Sequence, residues 1–317
     1  NVDEFGISFY PKSAAGTEEP YRRWETLAAA RCAAGTRRFW VSELQSHNRA
    51  MFDPFTAVHP GELRLWNWEA AAQGAKGVIH WQWRPFQRGI QTAGRGLLDF
   101  RDEYSPRAEE AAAITRIIGE NEREFLAYRP EKPGAAILYD QLNHDFIKAL
   151  TTRFNPEVPN TLYSDSIGGL YRALWDLNIP ADFVTGAEVA AGGLTGYRVL
   201  FLTNQVCLSA ELARGLRRYV EGGGILVCDA KFGWVDEAGT LFRDLPGGPL
   251  NDLTGCRLVD VDPSGLFISA DLEGIGRIEM RGCYERCILR VGDPGVEVRG
   301  RFADGSPAVV QIGRAHV

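Results

Sequence analysis

Arg38-Phe-Trp-Val-Ser-Glu43, an aromatic and β-branched run that ends on a carboxylate, decides how the rest of the chain is read. Phe, Trp and Val suit a half-buried pleated surface, so the run predicts a strand. Before it, residues 21–34 read as a helix, with Gly35 at the place of a left-handed C′ glycine. Before that, Phe5-Gly-Ile-Ser-Phe-Tyr10 reads as a strand stopped by Pro11, which has no ladder donor. After it, residues 60–74 read as a second helix with Pro60 in its first turn. Gly77-Val-Ile-His-Trp-Gln-Trp-Arg84 is then a third strand. Strand, helix, strand, helix, strand requires parallel pairing through crossover helices, and nothing in this half resembles a hairpin meander.

Further out, Ser105 caps a predicted long helix to about residue 128, with Glu109 and Glu110 favourably placed in its first turn. Pro130 and Pro133 end it and mark a boundary at 129–134. A second α/β set follows: strand 135–139, helix 166–177, strands 182–184 and 199–202, helix 210–221 and strand 225–228. Ser209 caps the 210–221 helix and Gly222-Gly-Gly224 stops it. From Cys256, short apolar runs spaced by glycine predict β-structure. The expected domains are 1–129, 130–255 and a β-rich end of the second domain at 256–317.

A chain of 317 residues has room for two domains, and 45% hydrophobic with 24% charged residues is a globular balance rather than a disordered one. No apolar run reaches the ~20 residues of a membrane span. A net charge of −6 argues against a nucleic-acid partner, whose footprint is basic. The six cysteines form no CxxC pair and no disulfide framework, and the Cys283/Cys287 spacing lacks further ligands for zinc. No metal or cofactor is expected, and scattered thiols suit a cytoplasmic protein. The start at Asn1 without Met reads as a fragment. Ile312 to Val317 reads either as a translated sequencing adapter or as natural sequence stopped within a strand.

Parallel barrels build active sites at strand C-termini. Glu43 ends one strand and Tyr10 the preceding one, so the two ends are expected side by side. A tyrosine hydroxyl beside a carboxylate holds it ionised and aimed, as a nucleophile requires. The plainer reading is a solvated glutamate with an interface tyrosine. Gln45, His47 and Asn48 follow Glu43 as further polar groups. Alternation along the third strand puts Trp81 and Trp83 on one face and His80, Gln82 and Arg84 on the other. A Trp there is either a floor for a sugar ring or a core residue, and Arg84 is either a ligand or a rim ion pair.

Together, Gly6-Ile-Ser-Phe-Tyr-Pro11, Phe39-Trp-Val-Ser-Glu-Leu-Gln45, Pro60-Gly-Glu-Leu-Arg-Leu-Trp-Asn-Trp68 and His80-Trp-Gln-Trp-Arg84 resemble glycoside hydrolase family 42. Gly169-Leu-Tyr-Arg-Ala-Leu-Trp175, Ile179-Pro-Ala-Asp-Phe-Val184 and 246–253 resemble that family's trimerisation domain. The resemblance implies an α/β chain: the last three units of a TIM (β/α)8 barrel, then a class I glutamine-amidotransferase-like domain. It implies a retaining β-galactosidase acting on small β-glycosides or oligosaccharides, as a homotrimer. Glu43 is its nucleophile and Tyr10 the orienting residue. Trp81, Trp83, Arg84, Gln91 and Gln45 become the candidate substrate ligands. The acid/base Glu belongs on a strand outside this chain. Gln91 and Gly94 stand where the family commonly carries a sugar-binding Glu and His, which puts galactose specificity in question. The rival reading is a catalytically dead carbohydrate-binding or assembly protein. An amidotransferase activity has no support, because Cys228 lacks a G-x-C-x-G elbow and His316 is the only downstream His.

Overall fold

Three parallel strands, β1 (Glu4–Phe9), β4 (Arg38–Gln45) and β5 (Val78–Trp81), form the first sheet in the order β1-β4-β5. The computed structural model describes residues 3–13, 15–52, 56–154, 157–262, 267–281 and 285–313. It divides into two units, Asn1–Lys132 and Pro133–Val317.

In the first unit, α1 (Pro20–Ala34) joins β1 to β4, and α2 (Pro60–Ala72) joins β4 to β5. Phe9, Phe39, Val41 and Leu44 from the strands pack with Leu27, Leu63 and Trp66 from the helices. Fully burying each such side chain is worth about 1.5–3 kcal/mol. Buried Arg23 on α1 grips Glu69 on α2 through two bonds of 2.8 and 2.7 Å, a fork-to-fork geometry only Arg offers. Ser105 caps α3 (Pro106–Glu120) as expected, its Oγ accepting from Arg107 and Ala108. The expected single helix breaks at Asn121, whose backbone leaves the helical region before α4 (Glu122–Ala127).

One unforeseen element and one failed expectation stand out here. A short antiparallel hairpin, β2 (Lys12–Ser13) with β3 (Gly16–Thr17), follows β1. The third strand stops at Trp81 rather than Arg84. The carbonyls of Gln82 and Trp83 accept instead from the amides of Leu97 and Leu98, so the chain leaves the ladder and the two-residue alternation ends there.

The second unit is built on a parallel sheet in the order β7-β6-β8-β9. Its strands are β6 (Ala135–Tyr139), β7 (Ala181–Thr185), β8 (Val199–Leu202) and β9 (Ile225–Cys228). The helices are α5 (Gln141–Arg153), α6 (Leu162–Asp176), α7 (Gly186–Ala190) and α8 (Ala210–Glu221), followed by the one-turn α9 (Asn251–Thr254). Leu212 and Leu216 of α8 pack on Leu138, Leu200 and Leu202 of the sheet. Ser209 caps α8. The sequence signals missed α5 and α7, which are capped by Asp140 and Thr185. The β-structure expected from Cys256 comprises β10 (Cys256–Asp262), β11 (Phe267–Leu272), β12 (Gly276–Arg281), β13 (Arg286–Val291), β14 (Val296–Phe302) and β15 (Pro307–Ile312). They form an antiparallel pair, β10-β13, and an antiparallel sheet ordered β12-β11-β14-β15.

Candidate active site

Strict alternation along β4 would send Glu43 to the helix-covered face with Phe39 and Val41. It does not go there. The β1–β4 register runs Ile7↔Val41 and then Ser8↔Glu43, so Ser42 is an extra residue, and Leu44 returns to the core. Such a bulge re-aims the side chains that follow it. Gly6 makes room for it, since a Cβ there would meet Ser42 Cβ at 3.0 Å and Oγ at 3.1 Å.

Glu43 therefore points to the face that carries Ser8 and Tyr10. Its Oε2 accepts from Ser8 Oγ at 3.1 Å and from Tyr10 OH at 3.0 Å. Among the described residues no hydrogen bond reaches Oε1. Burial and the adjacent carboxylate push the Tyr10 hydroxyl above the ordinary tyrosine range, so it stays a protonated donor. The expected Tyr10–Glu43 neighbourhood is present. Ser8 was missed, although its place two residues before Tyr10 puts both on one strand face.

Gln45 is corrected by the structure. It is fully buried, and its amide is committed to the Lys12 backbone, accepting from N at 2.9 Å and donating to O at 3.0 Å. It latches β4 to the chain beyond β1 and has no face for substrate. His47 is also buried, and its Nδ1 accepts from the Asn48 amide at 2.7 Å. Burial, then the charges of Arg107 and Arg95, lower it to about 3. It is neutral at physiological pH.

The segments after β4 and β5 are tied together by backbone bonds. Ser46 N donates to Trp81 O, Arg95 N to Asn48 O and Met51 N to Thr92 O, each at 3.0 Å. Within β5, Val78 packs on the core and His80 Nε2 lies 3.2 Å from Asn67 Nδ2 of α2. Trp81 thus takes the face away from the helices, with its ring centroid 6.0 Å from that of Phe86. Trp83 and Arg84 lie beyond the strand, so the expected sharing of faces fails for them. Trp83 stands edge-on to Tyr104, and Arg84 pairs with Asp102 at 3.6 Å, both exposed. With Gln82, Pro85, Phe86 and Gln87 they line an open depression of about 450 Å³. Gln91 is half-buried, and its carbonyl accepts from the Gly94 amide at 2.8 Å. A Cβ on Gly94 would sit 2.0 Å from the Arg49 carbonyl oxygen. The backbone has closed over the space a side chain would need. No hydrogen bond or ring contact among the described residues links Trp83, Arg84 or Gln91 to Glu43.

Among the described residues no three His, Cys, Asp or Glu side chains gather as a metal set would require. Cys283 and His316 lie outside the described residues. Cys228 ends β9, and its thiol is pushed up to about 12 by lost hydration and the Asp229 carboxylate, opposite to what a nucleophile needs.

Residues 133–315 match the sequence profile described as "Beta-galactosidase trimerisation domain", and residues 2–120 the profile described as "Beta-galactosidase". The chain is 30% identical over 295 residues to the β-galactosidase BgaA of a Thermus species, covering 88% of this chain and 40% of that protein. It is 26% identical over 282 residues to β-galactosidase BgaH of Haloferax lucentense, covering 86% and 39%. The chain thus spans less than half the length of these relatives. The crystal structure of a β-galactosidase from Bacillus circulans sp. alkalophilus superposes with a TM-score of 0.82 at 21% identity, over 98% of this chain and 46% of that one. An exo-β-1,4-mannosidase of an Opitutaceae bacterium shares the fold at a TM-score of 0.68 and 16% identity, over 98% and 53%.

Proposed function

Because this chain belongs to glycoside hydrolase family 42, we propose that it forms part of a retaining β-galactosidase in which Glu43 is the nucleophile. The first unit supplies the last three β/α units of a TIM (β/α)8 barrel. The second, from about residue 130, is an amidotransferase-like domain that holds a homotrimer together, a role its match to a trimerisation domain supports. The single observation that carries the catalytic reading is the convergence of Ser8 and Tyr10 on one oxygen of Glu43, at the C-terminal end of a parallel strand.

The chemistry follows from that geometry. Oε1 of Glu43 attacks the anomeric carbon of a terminal β-galactoside. The bond to the aglycone oxygen breaks, and that oxygen leaves with the electron pair and a proton from a carboxylic acid on another barrel strand. Retaining enzymes keep the two carboxyls about 5–5.5 Å apart, and the second then deprotonates the water that cleaves the glycosyl ester. The hydroxyls of Ser8 and Tyr10 hold the Glu43 carboxylate in place for this step. Trp81 offers a flat ring, and Trp83 with Arg84 an open rim, to an oligosaccharide or small β-glycoside. Gln91, neutral where the family resemblance places a carboxylate, relaxes the preference for galactose. Cys207, Cys228, Cys256 and Cys287 carry free thiols, which suits the cytoplasm.

In the full-length protein, Glu43→Gly should abolish turnover, and added azide should restore it by forming a glycosyl azide of inverted configuration. Wild-type-like hydrolysis by Glu43→Gly would overturn the assignment. Light scattering should give the mass of three subunits, and a monomer at micromolar concentration would remove the trimer.

A further inference from the structure

We infer that Ser8 is a positioning residue for Glu43, acting with Tyr10 to hold Oε2 so that Oε1 is the attacking atom. This rests on reading Glu43 as the nucleophile. Ser8 is the residue paired with Glu43 across the β1–β4 ladder. Ser8 and Tyr10 are two residues apart on one chain, so their side chains leave on the same face. Their hydroxyls reach the same oxygen, at 3.1 and 3.0 Å. A carboxylate offers about four acceptor sites over its two oxygens, yet both donors choose Oε2.

One donor would fix an oxygen but not the plane of the group, because the carboxylate can swing about a single hydrogen bond. Two donors, one within β1 and one just past its end, fix the plane as well. They draw charge toward Oε2, and among the described residues no donor shares the lone pairs of Oε1. The bulge at Ser42 is what makes the Ser8 contact possible, since a regular ladder would turn Glu43 to the opposite face. Burial and the Glu43 charge keep Tyr10 protonated, and a serine hydroxyl does not titrate in water's accessible range, so both donors persist across the working pH.

The test is kinetic, in the full-length enzyme, on Ser8→Ala, Ser8→Thr and Tyr10→Phe with an aryl β-galactoside. A hydrogen bond to a charged group is worth about a factor of ten in rate. Ser8→Ala should therefore lower kcat about tenfold with little change in KM. It should also move the acid limb of kcat/KM to higher pH, because the ionised form has lost a donor. Ser8→Thr keeps the hydroxyl and should recover most of the rate and the original limb. A rise in KM alone would make Ser8 a sugar ligand and overturn the inference, as would an unmoved acid limb. Azide rescue of Glu43→Gly, measured in parallel, separates the two ideas. Rescue with a silent Ser8→Ala sinks only the role of Ser8, whereas a failure of rescue removes the nucleophile on which it depends.

Discussion

The two units place polar residues at the same address, the C-terminal edge of a parallel sheet, where α/β folds put their ligands, and they treat them in opposite ways. In the second unit those residues satisfy one another. Asp140 after β6 accepts from Gln205 after β8 at 2.8 Å, and its amide donates to Tyr163 OH at 3.0 Å. Asn143, fully buried, accepts from Cys207 N and donates to Asn204 O, both at 2.9 Å. The Asn204 amide in turn donates to Asp229 at 2.6 Å. In the first unit Glu43 has one oxygen held twice and the other free of described donors. A network closed on itself stabilises a fold, and a carboxylate held on one side only is ready to react. Position on the sheet edge is common to both units; the hydrogen-bond inventory separates them.

The largest effect expected on this contrast comes from Gly6→Val. Its Cβ would press on Ser42 at 3.0 Å, and shifting the bulge moves Glu43 off its donors. In the full-length enzyme kcat/KM should fall by at least ~10²-fold, the cost of misplacing a reacting group by about an ångström. Near-wild-type kinetics would show that the bulge does not aim Glu43.

Next in size is Asn143→Ala, which leaves the Cys207 amide and the Asn204 carbonyl without partners. Denaturant melts should show a loss of about 2–4 kcal/mol, while the acid limb of kcat/KM stays in place. A moved limb would mean that the second unit's network feeds the catalytic site.

Acid should then act on the two units in opposite senses. Burial lowers His47 from 6.5 to about 3 and His80 to about 4. Between those values and 6.5 the unfolded chain binds protons that the folded chain refuses, so the first unit loses stability as pH falls. Burial raises Asp140 above its ordinary 3.8. The folded state there holds the proton more tightly, so that contribution is present below 3.8 and is lost as pH rises through the raised value. Hydrogen exchange at pH 7 and pH 5, corrected for intrinsic rates, should show protection falling in residues 4–120 and not in residues 135–228. Equal losses in both would contradict this assignment of the titrating groups.

The smallest effect is at position 91. Gln91→Glu exchanges a neutral hydrogen bond for a charged one, a change of about tenfold or less in the ratio of galactoside to glucoside turnover. A ratio that does not move would show that position 91 does not set the choice of sugar. Gly94→His, by contrast, should fail to fold normally, because Arg49's carbonyl occupies the place of its Cβ.

Much of this architecture was legible along the chain. The strands at 135–139, 199–202 and 225–228 matched their sequence signals, as did the caps at Ser105 and Ser209, because apolar β-branched runs and a hydroxyl before a helix act locally. Helix α5 was hidden because its buried face carries Asn143 and Thr151 beside Ile147, while Leu142 and Leu150 are exposed. The strand through Arg84 was overextended for the opposite reason. Its alternating aromatic pattern continues past Trp81, while the backbone turns to bond with Leu97 and Leu98.

At the site, the sequence by itself determined which groups were present: a carboxylate and a tyrosine at neighbouring strand ends, a serine two residues earlier, and a glycine before that. Tertiary structure alone decided that Glu43 faces away from the helices, that Gln45 is committed to the Lys12 backbone, and that Gly94 has no space for a side chain. The reason is physical. Residue type and spacing fix a periodicity, but a one-residue bulge reverses every face that follows it. Here the bulge at Ser42 is a tertiary event, formed where β4 pairs with β1 and Gly6 leaves room for the extra residue.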